Sequence, residues 1–148
     1  MDKKNLKSYE RRLLMRLQMK SDFMVLGDAT DFIKEWADSN GVEIISMRLH
    51  SKDDIRGEKI IIKQNEYSHF NCRIWWLDMV NEHPEKNHLM LIYVEEADID
   101  AINALKSFME NEPDNLFYGV ICRDPNKEIN STINSLCKPI IRWGEDRE

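Results

Sequence analysis

Two apolar runs constrain this chain more than anything else in it. Leu89–Val94 and Leu116–Cys122 are both of strand length, and neither alternates apolar with polar residues. A strand with one wet face repeats with period two, whereas an unbroken run is buried on both faces. Parallel sheets covered by helices on each side contain strands of this kind, because parallel neighbours are joined by crossovers that lie on the sheet.

The rest of the chain supplies matching parts. Phe23–Leu26 is a short apolar strand closed by Gly27 and Asp28. Asp28 or Thr30 can cap the helix that follows, whose apolar stripe is Phe32, Ile33, Trp36 and Ala37, and Asn40-Gly41 ends it. Val42–Met47 is a second strand. Glu95, Glu96, Ala97 and Asp98 close the third, and a helix through Ile102, Leu105 and Met109 leads to the fourth. After Asp124-Pro125 come a short helix through Ile129, Ile133 and Leu136 and a last strand, Ile140–Trp143. Ahead of all this, Asn5–Lys20 is an amphipathic helix with Leu6, Tyr9, Leu13 and Leu17 on one stripe and Arg11, Arg12 and Arg16 mostly off it.

The stretch from Ser51 to Asp78 reads differently. Lys59–Lys63 and Tyr67–Phe70 can pair as a hairpin around Gln64-Asn65. Trp75 and Trp76 are adjacent, so both cannot face one core, and one is a candidate anchor for a partner. The expectation is one α/β domain over 1–148, a three-layer α/β/α arrangement with a mostly parallel sheet of about five strands. An N-terminal amphipathic helix occupies 1–21 and a β-hairpin insertion 58–74.

In such sheets ligands sit at the carboxyl ends of the strands. Three turns are predicted to meet there: Gly27-Asp28, Glu95-Glu96 and Arg123-Asp124-Pro125. A net charge of −6 argues against general nucleic-acid binding, whose footprint is basic. Arg11, Arg12 and Arg16 form the densest positive cluster, either the solvated face of a packing helix or a face that contacts a partner or phosphate. Cys72, Cys122 and Cys137 are an odd set, read as buried reduced thiols rather than a disulfide or metal framework. Glu95, Glu96, Asp98 and Asp124 are hard oxygen ligands, but with no phosphate to complete a shell they read as a solvated acidic strand end. His83 and His88 lack a further pair of zinc ligands, and no Cys, Ser or Lys stands beside a clear general base. No catalytic residue and no metal site is therefore expected. With no cleavable leader pattern at Met1 and no apolar run of bilayer length, a soluble cytoplasmic protein is expected.

The three turns, in their order, resemble the AAA+ branch of P-loop ATPases. The strand ending in Glu95, Glu96, Ala97 and Asp98 looks like a Walker B segment. Ala101–Glu110, Pro113–Asn115, Asp124–Lys127 and Thr132–Cys137 resemble clamp-loader subunits of DNA polymerase. Trp36-Ala37, Met47–Leu49, Asp54–Gly57 and Trp76-Leu77 are similar to the MoxR group. The likeness covers about Phe23 to Trp143.

Measured against that pattern, the parts that hold and hydrolyse a nucleotide are missing. Only Asp28 and Ala29 stand between Gly27 and Thr30, so the Walker A lysine and later glycines are absent. Asp28 and Asp31 put negative charge where a triphosphate would lie, a repulsion on the order of a few kcal/mol per close pair at low dielectric. Glu95 stands at the magnesium-ordering position, Glu96 at the water-orienting one, and Asp124 (or Arg123) at the polar sensor position. Leu136 stands where clamp loaders carry an arginine finger, and the helical lid has no counterpart after Trp143. The resemblance thus implies a pseudo-ATPase: a non-catalytic interaction module with no cofactor. Gly27, Asp28, Thr30, Glu95, Glu96 and Asp124 would be vestigial site positions, and Arg11, Arg12, Arg16, Trp75 and Trp76 candidate interaction residues. Its partner would be a protein, such as an active AAA+ or clamp-loader-like assembly. A small degenerate core of this kind also suits a phage or mobile-element product acting as a decoy. Two other readings stay open: a sensor or enzyme that binds a nucleotide or other phosphate compound in an altered pocket, and a nucleic-acid-associated protein using the arginine face.

Overall fold

The computed structural model describes residues 5–50, 61–63, 66–68, 85–109, 115–124 and 140–144. In chain order the elements are α1 (Ser8–Gln18), β1 (Phe23–Leu26), α2 (Thr30–Asn40), β2 (Val42–Arg48), β3 (Ile61–Lys63), β4 (Glu66–Ser68), β5 (Asn87–Tyr93), α3 (Ile99–Met109), β6 (Leu116–Cys122) and β7 (Ile140–Arg142). The strands form one seven-stranded sheet in the order β3-β4-β2-β5-β6-β1-β7. Its five strands β2-β5-β6-β1-β7 are mutually parallel. β4 continues this parallel set beside β2, and β3 pairs antiparallel with β4 through Ile62 opposite Tyr67. The predicted hairpin is thus part of the main sheet and extends it from about five strands to seven. The expected helix through Ile129, with Cys72, Cys137, Trp75 and Trp76, lies outside the described residues.

Strand alternation explains how two unbroken apolar runs serve two cores. On β5, Leu89, Leu91 and Tyr93 face one side, and Met90 and Ile92 the other. On β6, Phe117 and Ile121 join the first set, and Leu116, Tyr118, Val120 and Cys122 the second. α1 and α2 cover the first face with Leu13, Leu14, Leu17, Ile33, Trp36 and Ala37. α3 covers the second with Ala101, Ile102, Ala104, Leu105 and Met109. This is the three-layer α/β/α arrangement. Each fully buried Leu or Ile in it contributes about 1.5–3 kcal/mol relative to exposure.

Local chemistry sets the helix ends. The Glu10 carboxylate accepts the backbone N–H of Lys7 (2.9 Å), half of a capping box that starts α1. Asp98 accepts the N–H of Ala101 (2.8 Å) at the start of α3. Gly41 ends α2 in the left-handed conformation (φ 67°), its N–H reaching the carbonyl of Ala37. No helix among the described residues is long and apolar enough to cross a membrane.

Candidate functional site

The parallel strands end at the same edge, so the turns after β1, β5 and β6 meet. The strand order decides this: β6 lies between β5 and β1, which brings the end of each within hydrogen-bonding reach of its neighbour. Val94 N–H donates to the carbonyl of Ile121 (2.9 Å), Gly27 N–H to that of Cys122 (2.8 Å), and Trp143 N–H to that of Leu26 (2.8 Å). The expected convergence of Gly27-Asp28, Glu95-Glu96 and Arg123-Asp124 is the arrangement found.

Gly27 is wedged rather than open. Its φ is +118°, and a Cβ there would stand 2.8 Å from the Cβ of Trp143 and 3.3 Å from its carbonyl oxygen. Its one N–H is spent on Cys122. Beyond it the turn is equally committed, because the Asp28 carboxylate accepts the N–H of Thr30 (3.1 Å) at the first residue of α2. Hydrogen bonding with Thr30 holds the Asp28 carboxyl below its usual range, with the Arg123 and Lys34 charges adding to the effect. A helix N-terminus attracts anions through its unsatisfied N–H groups, and here Asp28 is already that anion. Gly27→Ala should lower stability by about 1–3 kcal/mol, since it imposes a positive φ on a side chain that has no room. Urea unfolding checks it, and an unchanged midpoint would contradict the close approach to Trp143.

Arg123 closes the centre of the edge. Its backbone N–H (2.8 Å) and Nε (3.1 Å) both donate to Oε1 of Glu95, and its Nη2 to Oε2 (2.8 Å). The Glu95 side chain is only 15% exposed. This two-pronged, charge-assisted pairing is the strong kind, and it raises the guanidinium pKa further. The guanidinium also lies over the Tyr93 ring, 4.3 Å from its centroid. Tyr93 in turn shares a hydrogen bond with the Thr30 hydroxyl (2.9 Å), and burial pushes its phenol up. Asp28, Thr30, Tyr93, Arg123 and Glu95 therefore form one connected polar cluster, in which the Arg123 guanidinium is the single cation between two carboxylates.

The remaining candidates lie elsewhere. Glu96 points away from Arg123 and pairs with His50 at the end of β2 (2.6 Å), which joins the β2 and β5 ends instead of facing α2. Asp124 is exposed, and the position inward of it, Arg123, is the one that meets Glu95. Arg16 is half-buried and donates through Nε to the carbonyl of Asp22 (3.2 Å), fixing the turn between α1 and β1 rather than presenting its charge outward. Arg11 and Arg12 are exposed, and Arg11 also donates to the carbonyl of Leu6 (2.6 Å). Tyr93 and His50 were not singled out from the sequence. Tyr93 sits inside an apolar run and carried no polar signal of its own, and the partner of His50 lies 46 residues away. Among the described residues no group of three or more His, Cys, Asp or Glu is placed to hold a metal ion. Cys122 is buried, and its thiol donates to the carbonyl of Asp124 (3.4 Å).

No protein-family model matches this chain, and no curated protein matches it.

Proposed function

We propose that this protein is a non-catalytic, AAA+-like interaction module, a pseudo-ATPase whose ligand edge has been closed from within. The carrying observation is the Glu95–Arg123 pair. A carboxylate at the cation-ordering position must present free oxygens to magnesium, and here both oxygens already accept donors from Arg123. The phosphate side is closed in the same way: Gly27 N–H serves Cys122, and Thr30 N–H serves Asp28. A triphosphate would have to displace an anion from the helix end and unseat an arginine stacked on Tyr93. The five-strand parallel set, with β1 between β6 and β7, supports a descent from an edge-binding α/β protein. The partner fitting this reading is another protein, an active AAA+ or clamp-loader-like assembly.

Calorimetric titration with ATP, ADP and GTP in the presence of magnesium tests the closed edge. No nucleotide should bind with a dissociation constant below about 100 µM, which corresponds to roughly 5 kcal/mol. A tighter complex would favour the sensor or enzyme reading instead. The partner half is tested by native mass spectrometry of protein purified from its own host. A stoichiometric complex with an ATPase subunit is expected, and a strict monomer would count against it.

A further inference from the structure

We infer that the outer face of α1 is a docking surface for an acidic amphipathic helix of a partner protein. Met15 (61% exposed) and Met19 (62%) are two of the three large apolar side chains most exposed among the described residues. They are spaced i, i+4 on one helix, so they stand one above the other. Arg11 precedes Met15 at the same spacing and Arg12 lies alongside, both exposed, with Lys7 and Lys20 exposed just beyond the two ends. The opposite stripe of α1, with Leu13, Leu14 and Leu17, is already spent on the core. Glu10, the one acid of the helix, is turned to the backbone of Lys7. Among the described residues of α1 the outer stripe is therefore apolar at its centre and basic at its rim, on a chain whose net charge is −6.

That combination selects the occupant. Apolar area flanked by one sign of charge fits a helix carrying apolar residues at i, i+4 spacing between glutamates or aspartates. Methionine is flexible and polarizable, which suits a surface that moulds to a helix. A polyanion such as DNA would set phosphates rather than apolar side chains against the two methionines. This inference rests on the interaction-module reading and names where the partner binds. The two can fail separately: nucleotide titration tests the closed edge, and variants of α1 test the docking face.

The probe is a fluorescein-labelled synthetic helix with leucines at i, i+4 and i+7 and glutamates on either side, followed by fluorescence anisotropy against the full chain. Saturable binding at peptide concentrations up to about 100 µM is expected. The double variant Met15→Glu/Met19→Glu and the single variant Arg12→Glu should each weaken it by roughly tenfold, about 1.4 kcal/mol. A peptide of equal composition with its leucines dispersed should also bind roughly tenfold more weakly. All three positions are exposed, so the variants should melt like the parent; if the double variant does not, Arg12→Glu carries the test. Absence of binding, equal binding by parent and variants, or equal binding of the dispersed peptide would overturn the inference. So would tighter binding of a short DNA duplex or of phosphatidylserine vesicles than of the acidic helix.

Discussion

Gly119→Val is expected to unfold most of the protein at ambient temperature, or to leave it with a small fraction of its stability. Gly119 lies in β6 opposite Phe23 of β1 and Leu91 of β5. A Cβ at this position would meet the Phe23 ring, with Cε2 at 2.6 Å, and Leu91 Cδ2 at 3.0 Å. The Phe23 ring cannot retreat, because it is fully buried under α1 and α2 together with Phe117, Leu13 and Ile33. Even alanine should cost about 1–3 kcal/mol by overpacking. Valine adds two more methyl groups to the same space, and its cost should exceed about 4 kcal/mol, against a total of about 5–15 for a typical domain. Intrinsic preference has the opposite sign, since valine favours strands and glycine weakens them. The experiment therefore separates packing from propensity. Guanidinium unfolding of the alanine and valine variants is the measurement, and Phe23→Leu in the alanine background should recover part of the loss. A valine variant as stable as the parent would mean that the ring does not occupy this space.

Arg123→Ala should produce the largest effect of any change at the ligand edge. It removes two side-chain hydrogen bonds to Glu95 and the contact with Tyr93, and leaves a carboxylate that is 15% exposed without its cation. Breaking a fully buried pair costs about 3–5 kcal/mol. Arg123 is itself 33% exposed, so solvent screening reduces the figure to about 2–3 kcal/mol. For a chain of this length that lowers the melting temperature by roughly 6–12 °C. Glu95→Gln should cost less, because an amide still accepts one guanidinium hydrogen bond. Arg123→Lys should recover little, since an ammonium cannot make the two-pronged pairing or stack on the ring. Thermal unfolding of the two single variants and the double variant Arg123→Ala/Glu95→Gln gives the coupling. A coupling near zero would show that the pair does not hold the edge together, and with it the closed-site reading would lose its main support.

Much of this architecture could be read from local pattern. The unbroken run of Leu116–Cys122 gave a strand with identical bounds, and Asn40-Gly41 ended a helix where α2 ends. Both signals are short-range: one is a lack of polar residues over a strand length, the other a residue free to take positive φ. The three converging turns were also foreseen, because parallel strands must end at one edge. The Asp28 or Thr30 cap was half right. Asp28 does bind the N–H of Thr30, but the capping position itself is Ala29, which has no side-chain oxygen. The paired roles of Arg123, Tyr93 and His50 were not visible, since each partner lies many residues away and no periodicity encodes the contact.

By itself the sequence determined which of the described segments are strands and helices, and that the central strands are buried on both faces, because hydrophobic periodicity is a local property that each segment carries alone. It also showed that only Asp28 and Ala29 separate Gly27 from Thr30 in the first turn. Only the tertiary structure decided which contacts form at that edge. Placing β6 between β5 and β1 sets Arg123 within bonding distance of Glu95 and over Tyr93, and turns Glu96 away to His50. Glu95, which reads as part of an open acidic edge along the chain, is paired with Arg123 in space, since a charge can be paired only by what the fold carries to within a few ångströms of it.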